Sequence, residues 1–198
     1  MLPIRFCCMG TDEQHQLQSL ASALPADPVI VEIGAFIGGS IVVMHQSRPD
    51  AKFVVIEDFL NPGVHTDAVT GETYTWYDLG GRSSKELFLE NTAHINNLEL
   101  HEMHGNTTNY RGKFDDLVCD MLFEDAGLTD IDYWVQRVKP GGIFCGHDYR
   151  DAAWHLRNPH ISVPANDEIH VKKVDSLVDR WNATLNVVNT FWWFVKPV

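Results

Sequence analysis

The sequence predicts an α/β fold: a doubly wound, mostly parallel seven-stranded sheet with helices on both faces and an antiparallel terminal hairpin. Apolar runs such as "VIVEI", "KFVVIEDF" and "IFCGHD" alternate with segments of helical spacing, which implies a parallel sheet covered on both sides. The last two runs, "TLNVV" and "FWWFVKPV", lie close enough to turn back through Asn189, as a hairpin edge does. A chain of 198 residues, 44% of them hydrophobic, suits one compact domain over 1–198.

The elements follow in order. "TDEQ", Thr11 to Gln14, has the form of a capping box, and Leu17, Leu20, Ala21 and Leu24 continue at helical spacing until Pro25 and Pro28. "VIVEI" is a buried strand, "SIVVMHQSR" a helix on the sheet, and "KFVVIEDF" the next strand. Residues 60–82 break the rhythm with turn residues and with Tyr74, Trp76 and Tyr77. So long a connection is more often functional than a mere link, and it is expected to be an inserted substrate or lid loop. Ser83 to Glu86 again has capping-box form. Then come a strand "LELHEM", a turn "HGNTTN", a strand "DDLVCD", a helix over "LTDIDYWVQRV", a turn "KPGG", the strand "IFCGHD", a polar connection and a helix "DEIHVKKVDSLVDRW".

Composition excludes several partners. Fifteen basic against 27 acidic residues give a net charge of -12, which repels a phosphate backbone, so nucleic acid is not an expected partner. No run reaches the roughly 18 apolar residues of a membrane span, and the start "MLPIRFCCMG" lacks a signal peptide's apolar stretch. A cytoplasmic protein with no membrane partner is expected. Cys7, Cys8, Cys119 and Cys145 have neither disulfide nor CxxC metal spacing.

Ligands of doubly wound sheets bind outside the carboxyl ends of the strands. After the first strand stands ExGxxxGGS: Glu32, Gly34, Gly38, Gly39 and Ser40. Glycine there lets the backbone turn sharply and approach a ligand, although a purely structural turn has the same pattern. A dinucleotide fingerprint fails because position 36 is Phe, and a P-loop fails because Ser40 and Ile41 follow Gly39. Glu57, at the end of the second strand, lies about 20 residues beyond the turn, where an acid receives two ribose hydroxyls. Read alone it is equally a solvated strand end; with the glycine turn, the ribose reading is favoured.

The succession "VIVEIGAFIGGS", "FVVIEDF", "LVCD", "DIDYWVQRVKPGGIFCGHDY", "HVKKVDSLV" and "FWWFVKP" resembles the class I S-adenosylmethionine-dependent methyltransferases, of Rossmann-like fold. Within them it is similar to the bacterial small-molecule enzymes with KPGG and GHDY around the fifth strand. The resemblance covers Pro28 to Pro197 and implies S-adenosylmethionine as cofactor. Gly34, Gly38 and Gly39 would border its methionine part and Glu32 would brace the turn. Glu57 would receive the ribose, Asp58 and Phe59 would lie near the adenine, and Gly105 and Asn106 would form the adenine-side loop. Asp120 would be the acidic end of the fourth strand, beside the methyl-transfer position. His147 and Asp148 would close the fifth strand as the catalytic pair. One departure stands out: relatives carry DGxHxY after the fourth strand, whereas this chain has "DMLFEDAG".

Methyl transfer needs an aligned acceptor and removal of its proton. His147 is the expected base, since imidazole titrates near neutral pH; the alternative is a histidine that braces the loop and holds Asp148. Some relatives hold a divalent cation between acids of the fourth and fifth strands, so Asp120 and Asp148 are the candidate Mg²⁺ ligands. His101 and His104 point to opposite strand faces, and the other histidines share no spacing. His65, Tyr74, Trp76 and Tyr77 are candidates to meet a substrate, while Trp192, Trp193 and Phe194 form strand core or support a homodimer. The expected function is methylation of a small molecule, with oxygen as the acceptor atom. The alternative is a catalytically inactive relative that binds a nucleoside cofactor in a regulatory role; a nicotinamide-dependent oxidoreductase is disfavoured by Phe36.

Overall fold

A computed structural model describes residues 7–60, 64–66, 73–75, 78–103, 112–128, 130–159 and 165–198. The elements run α1 (Thr11–Ser22), β1 (Val29–Ile33), α2 (Gly39–Ser47), β2 (Lys52–Glu57), β3 (Val64–Thr66), β4 (Thr73–Thr75), α3 (Ser84–Thr92), β5 (Leu98–Glu102), β6 (Cys119–Glu124), α4 (Ile131–Val135), β7 (Val138–Gly146), α5 (Ala152–Arg157), α6 (Ala165–Arg180), β8 (Asn186–Val188) and β9 (Phe191–Val195). Seven strands form one sheet in the order β5-β2-β1-β6-β7-β9-β8. The first five are parallel, and β9 and β8 close the edge antiparallel. This is the doubly wound sheet that the alternating pattern predicts. β3 and β4 pair as a separate ribbon inside the long connection.

Alternation along each strand feeds two cores. Val31, Ile33, Val54, Ile56, Leu122 and Phe144 face Trp134, Val174 and Leu177 of α4 and α6. Ile30, Phe53, Val55, Met121, Phe123 and Cys145 face Leu17, Ile41, Met44 and Phe88 of α1, α2 and α3. Fully burying each such large side chain is worth about 1.5–3 kcal/mol, so both faces hold the strand ends in fixed register. No described helix is long and apolar enough to cross a membrane.

Several local expectations are corrected. Helix α1 starts one residue early: Gly10 is its N-cap, and Glu13 Oε2 accepts from the Gly10 N–H (2.7 Å). Gln14 instead donates to the Met9 carbonyl (2.7 Å), so it is not available for the box that "TDEQ" suggested. The second box is as expected: the Ser83 hydroxyl accepts from Glu86 N–H (3.2 Å), and Glu86 accepts from Ser83 N–H (2.8 Å). KPGG is no turn but the first part of β7, where Gly141 (φ +78°) and a register shift against β6 let the strand bulge. The polar connection after β7 contains the helix α5, capped by Asp151 on Trp154 N–H (2.7 Å). The hairpin turns at Asn189 (φ +55°), as expected.

The correction that matters for function concerns β6. It does not end at Asp120 but runs from Cys119 to Glu124, so its carboxyl end is Glu124 followed by Asp125. Every residue of this strand is buried, and a strand covered on both faces shows no alternation to mark where it stops.

Candidate active site

Strand order reverses around β1, whose neighbours are β2 on one side and β6 on the other. The crevice outside the carboxyl ends of β1, β2, β6 and β7 is therefore the site such a sheet offers. Gly34 leaves β1 at φ +84°, its N–H donating to Ile56 O (2.9 Å), while Asp125 N–H donates to Ile33 O (2.8 Å). The turns after β1 and β6 thus touch: a Cβ on Gly34 would lie 2.6 Å from Asp125 O. Gly38 (φ +81°) is bare for another reason, because a Cβ there would meet Thr92 and Phe88 of α3 at 2.9 and 3.0 Å. Gly39 opens α2. The protein's own packing thus demands bare backbone at Gly34 and Gly38.

Two acids brace the turn. Glu32, fully buried on β1, accepts from the Ser40 hydroxyl of α2 through Oε1, while its Oε2 is buried without a hydrogen-bond partner. Burial holds its carboxyl well above the usual range, Ser40 opposing and the charges of Asp125 and Glu57 adding. Glu57 ends β2 and is 7% exposed. Its Oε2 accepts from Phe36 N–H and its Oε1 from Phe59 N–H, both at 2.7 Å. Both aromatic residues sit at positive φ, +49° and +56°, so this one carboxylate pins two left-handed residues. Burial raises its pKa, the two amides opposing and Asp58 adding. Asp58 accepts from Leu60 N–H (2.9 Å).

Asp120 is not at this edge. Its carboxylate pairs with Lys139 and accepts from Val29 N–H, both at 2.9 Å, at the beginnings of β7 and β1. Four residues of extended strand separate it from Glu124, about 13 Å at ~3.3 Å each. It can neither reach a cofactor in the crevice nor share an ion with Asp148. Gly105, Asn106, His104, Trp76 and Tyr77, and the side chains of His65 and Tyr74, lie outside the described residues.

Asp125 occupies the place expected of Asp120. Glu124 shapes its loop: Oε1 accepts from Ala126 and Leu128 N–H (3.2 and 2.8 Å), and burial pushes the Glu124 carboxyl up to about 8. Across the crevice, His147 Nδ1 lies 3.3 Å from Asp148 and 3.9 Å from Asp125. Its Nε2 lies 2.9 Å from Thr190 Oγ1 and 3.4 Å from Glu13. The Thr190 hydroxyl gives its one proton to Glu13 (2.8 Å), so it accepts from Nε2–H. Nδ1, facing two carboxylates, carries a proton as well. Burial lowers the His147 pKa, but the hydrogen bonds to Asp148 and Glu13 and the charges of Asp125 and Asp148 outweigh it, raising the imidazole to about 10. Burial raises Asp148, and the bonds to His147 and Arg150 overcome that and bring it to about 2. Asp125, its side chain 32% exposed, is raised by burial, with His147 opposing and Asp148 adding.

This corrects the reading of His147 as a base near neutral pH: the ring is a charged donor. It also bears on a cation. Asp125, His147 and Asp148 offer ligand atoms within 4.8 Å of one another. Asp148 Oδ1, however, already receives Arg150 Nη2 (2.5 Å) and His147, and Nδ1 would have to lose its proton. Mg²⁺ prefers an octahedron of oxygens, so this set fits it poorly.

The ion network has a consequence for stability. The raised His147 pKa contributes stability that is fully present below pH ~6.5 and is lost as pH rises toward 10. The lowered Glu13 contributes above pH 4.5 and loses it as pH falls toward 2. Urea unfolding at pH 6 and pH 9.5 is expected to differ by about 4 kcal/mol from His147, and His147→Gln should remove that slope. A slope unchanged in the variant would contradict the assignment.

Sequence reading missed Glu13, Thr190, Arg150 and Glu124. The first two meet only through the hairpin, 177 residues apart; the run "FED" offered a signal for Glu124.

No family model matches the chain, and no curated protein matches it. Solved structures do. The chain is similar to the O-methyltransferase TomG from Streptomyces achromogenes, solved with SAM, at 16% identity over 96% of this chain and 82% of that one, with TM-score 0.62. It is similar to an O-methyltransferase from Bacillus cereus in complex with SAH, at 12% identity over 96% and 82%, TM-score 0.63. A precorrin-6y C5,15-methyltransferase from Geobacter metallireducens GS-15 matches at 14% identity over 98% and 92%, TM-score 0.60. These likenesses establish the fold, a Rossmann-like doubly wound sheet of the kind those methyltransferases have.

Proposed function

We propose that this chain is an S-adenosylmethionine-dependent methyltransferase acting on an oxygen of a small molecule. The observation that carries the reading is the facing of Glu57 and the Gly34 turn against Asp125, His147 and Asp148 across the point where strand order reverses. The residues fit the cofactor. Each Glu57 oxygen accepts one backbone N–H, and an ionised carboxylate has about four acceptor positions, so acceptor capacity for ribose hydroxyls remains beside Asp58. The orphaned Oε2 of Glu32 lies under the same turn.

When bound, S-adenosylmethionine supplies a methyl group on a positively charged sulfur. The chain's residues do the rest. Glu57, Asp125 and Asp148 outnumber the nearby cations in favour of a positively charged ligand. Asp125, raised and partly open to solvent, takes the proton of the acceptor hydroxyl. His147 offers Nδ1–H to the crevice, and Arg150 holds Asp148 in place. No step uses Mg²⁺. The partners proposed with this reading are a small-molecule acceptor, neither nucleic acid nor membrane, and a second copy of the chain as a homodimer.

A second reading, cofactor binding in a regulatory role without transfer, is favoured by the same network, since a charged His147 and an Arg150-bound Asp148 are not bases. Transfer of tritiated methyl from S-adenosylmethionine to a panel of phenol, catechol, 3,4-dihydroxycinnamate and methyl glucoside, in excess chelator, separates the two. Transfer to at least one of them is expected. Binding without transfer to any would favour the second reading.

A further inference from the structure

His147 is fastened from behind by residues that do not line the crevice. Glu13 on α1 and Thr190 in the β8–β9 turn are 2% and 4% exposed. Glu13 accepts from Gly10 N–H (2.7 Å) and Thr190 N–H (2.8 Å), while Thr190 O accepts from Tyr149 N–H (2.9 Å). Those bonds tie the amino-terminal helix, the hairpin and the end of β7 together through backbone groups. The Thr190 hydroxyl adds something that this fastening does not need: it runs from Glu13 Oε1 (2.8 Å) to His147 Nε2 (2.9 Å).

A histidine ring turns about χ2 in a broad, roughly two-fold well, so the torsion alone leaves its orientation soft and hydrogen bonds help decide it. With Nε2 held by Thr190, Nδ1 is left facing Asp125 and Asp148. The His147 backbone is fixed separately, its carbonyl accepting from Trp192 Nε1 (3.3 Å). Ring orientation and chain position are thus set by different bonds.

We propose that Glu13 and Thr190 are positioning residues of the transfer reaction, holding the His147 ring so that Nδ1 faces the acceptor space between Asp125 and Asp148. The proposal rests on the methyltransferase reading. Among the described residues the hydrogen bonds of Glu13 and Thr190 go to Gly10, Tyr149, His147 and each other, not to the Gly34 turn or Glu57, so losing the hydroxyl slows transfer and leaves cofactor binding intact. Where ring orientation sets the alignment of the reacting groups, a small misplacement costs about tenfold or more in rate.

The test uses Thr190→Val, which removes the hydroxyl but keeps the backbone bonds, and Thr190→Ser, which restores it. Transfer rates are measured with the panel acceptor that the wild-type protein methylates fastest, and cofactor affinity by calorimetry with S-adenosylhomocysteine. Thr190→Val should lower kcat about tenfold or more with affinity unchanged, and Thr190→Ser should recover it to within about threefold. Glu13→Gln should cost less in the Thr190→Val background than in the wild-type protein, because Glu13 Oε1 acts through the Thr190 hydroxyl while only its Oε2 approaches Nε2 directly (3.4 Å). Wild-type kcat in Thr190→Val, or equal losses in the Val and Ser variants, overturns the proposal. Should Glu13→Gln fail to fold, the Thr190 pair still decides. If the wild-type protein binds S-adenosylhomocysteine but methylates no panel acceptor, the methyltransferase reading fails and takes the proposal with it. That outcome is visible before any variant is made.

Discussion

Gly34→Ala is expected to cost about 2–4 kcal/mol of stability and to displace the loop that carries Asp125. Two terms add. At φ +84° a side chain is strained, which costs about 1–2 kcal/mol. The new methyl would also stand 2.6 Å from the Asp125 carbonyl oxygen and 3.0 Å from Ala126 Cβ, and neither neighbour is the free end of a flexible chain. Gly127→Ala separates the terms, because Gly127 has nearly the same φ, +83°, with open space where its Cβ would go. Thermal unfolding should show a clearly larger loss for Gly34→Ala than for Gly127→Ala. Equal losses would mean that the two turns do not approach each other as described.

Asp125→Asn is expected to lower kcat about 10²- to 10⁴-fold, the usual range for removing a general base. Among the described residues of the crevice, this carboxylate is the one group that is partly open to solvent, raised toward protonation and not held by an arginine. Asp148 is held by Arg150 and His147, and His147 already carries its protons. The substitution keeps size and shape, so unfolding should be little changed. Measuring kcat and the S-adenosylhomocysteine affinity in parallel checks the prediction. A variant that binds the cofactor and turns over at the wild-type rate would remove Asp125 from the reaction.

The strands and the crevice were legible in the sequence because their signals are local. Apolar runs between turn residues marked β1, β2 and β7, and the spacing of Gly34 and Glu57 marked two adjacent strand ends. Ser83 and Glu86 announced α3 for the same reason. What failed depended on the third dimension. An acid after "LVC" resembles a strand end, yet the doubly buried "MLF" carries β6 four residues beyond Asp120. Asp120 is neutralised at the opposite edge by Lys139. Gly38 is expected to border the cofactor, and independently of that α3 requires its bare backbone. Imidazole's ordinary titration near neutrality points to His147 as a base, but Glu13, which helps raise it, comes from the far end of the chain. Contacts of such sequence separation leave no periodicity to read.

The central claim is that the crevice beside Gly34 and Glu57 binds S-adenosylmethionine, and a calorimetric titration of the wild-type protein with S-adenosylmethionine and with its demethylated product tests it most directly. Saturable binding of both at a single site per chain is the expected result. No heat and no competition from either ligand, in a protein shown to be folded, would contradict it.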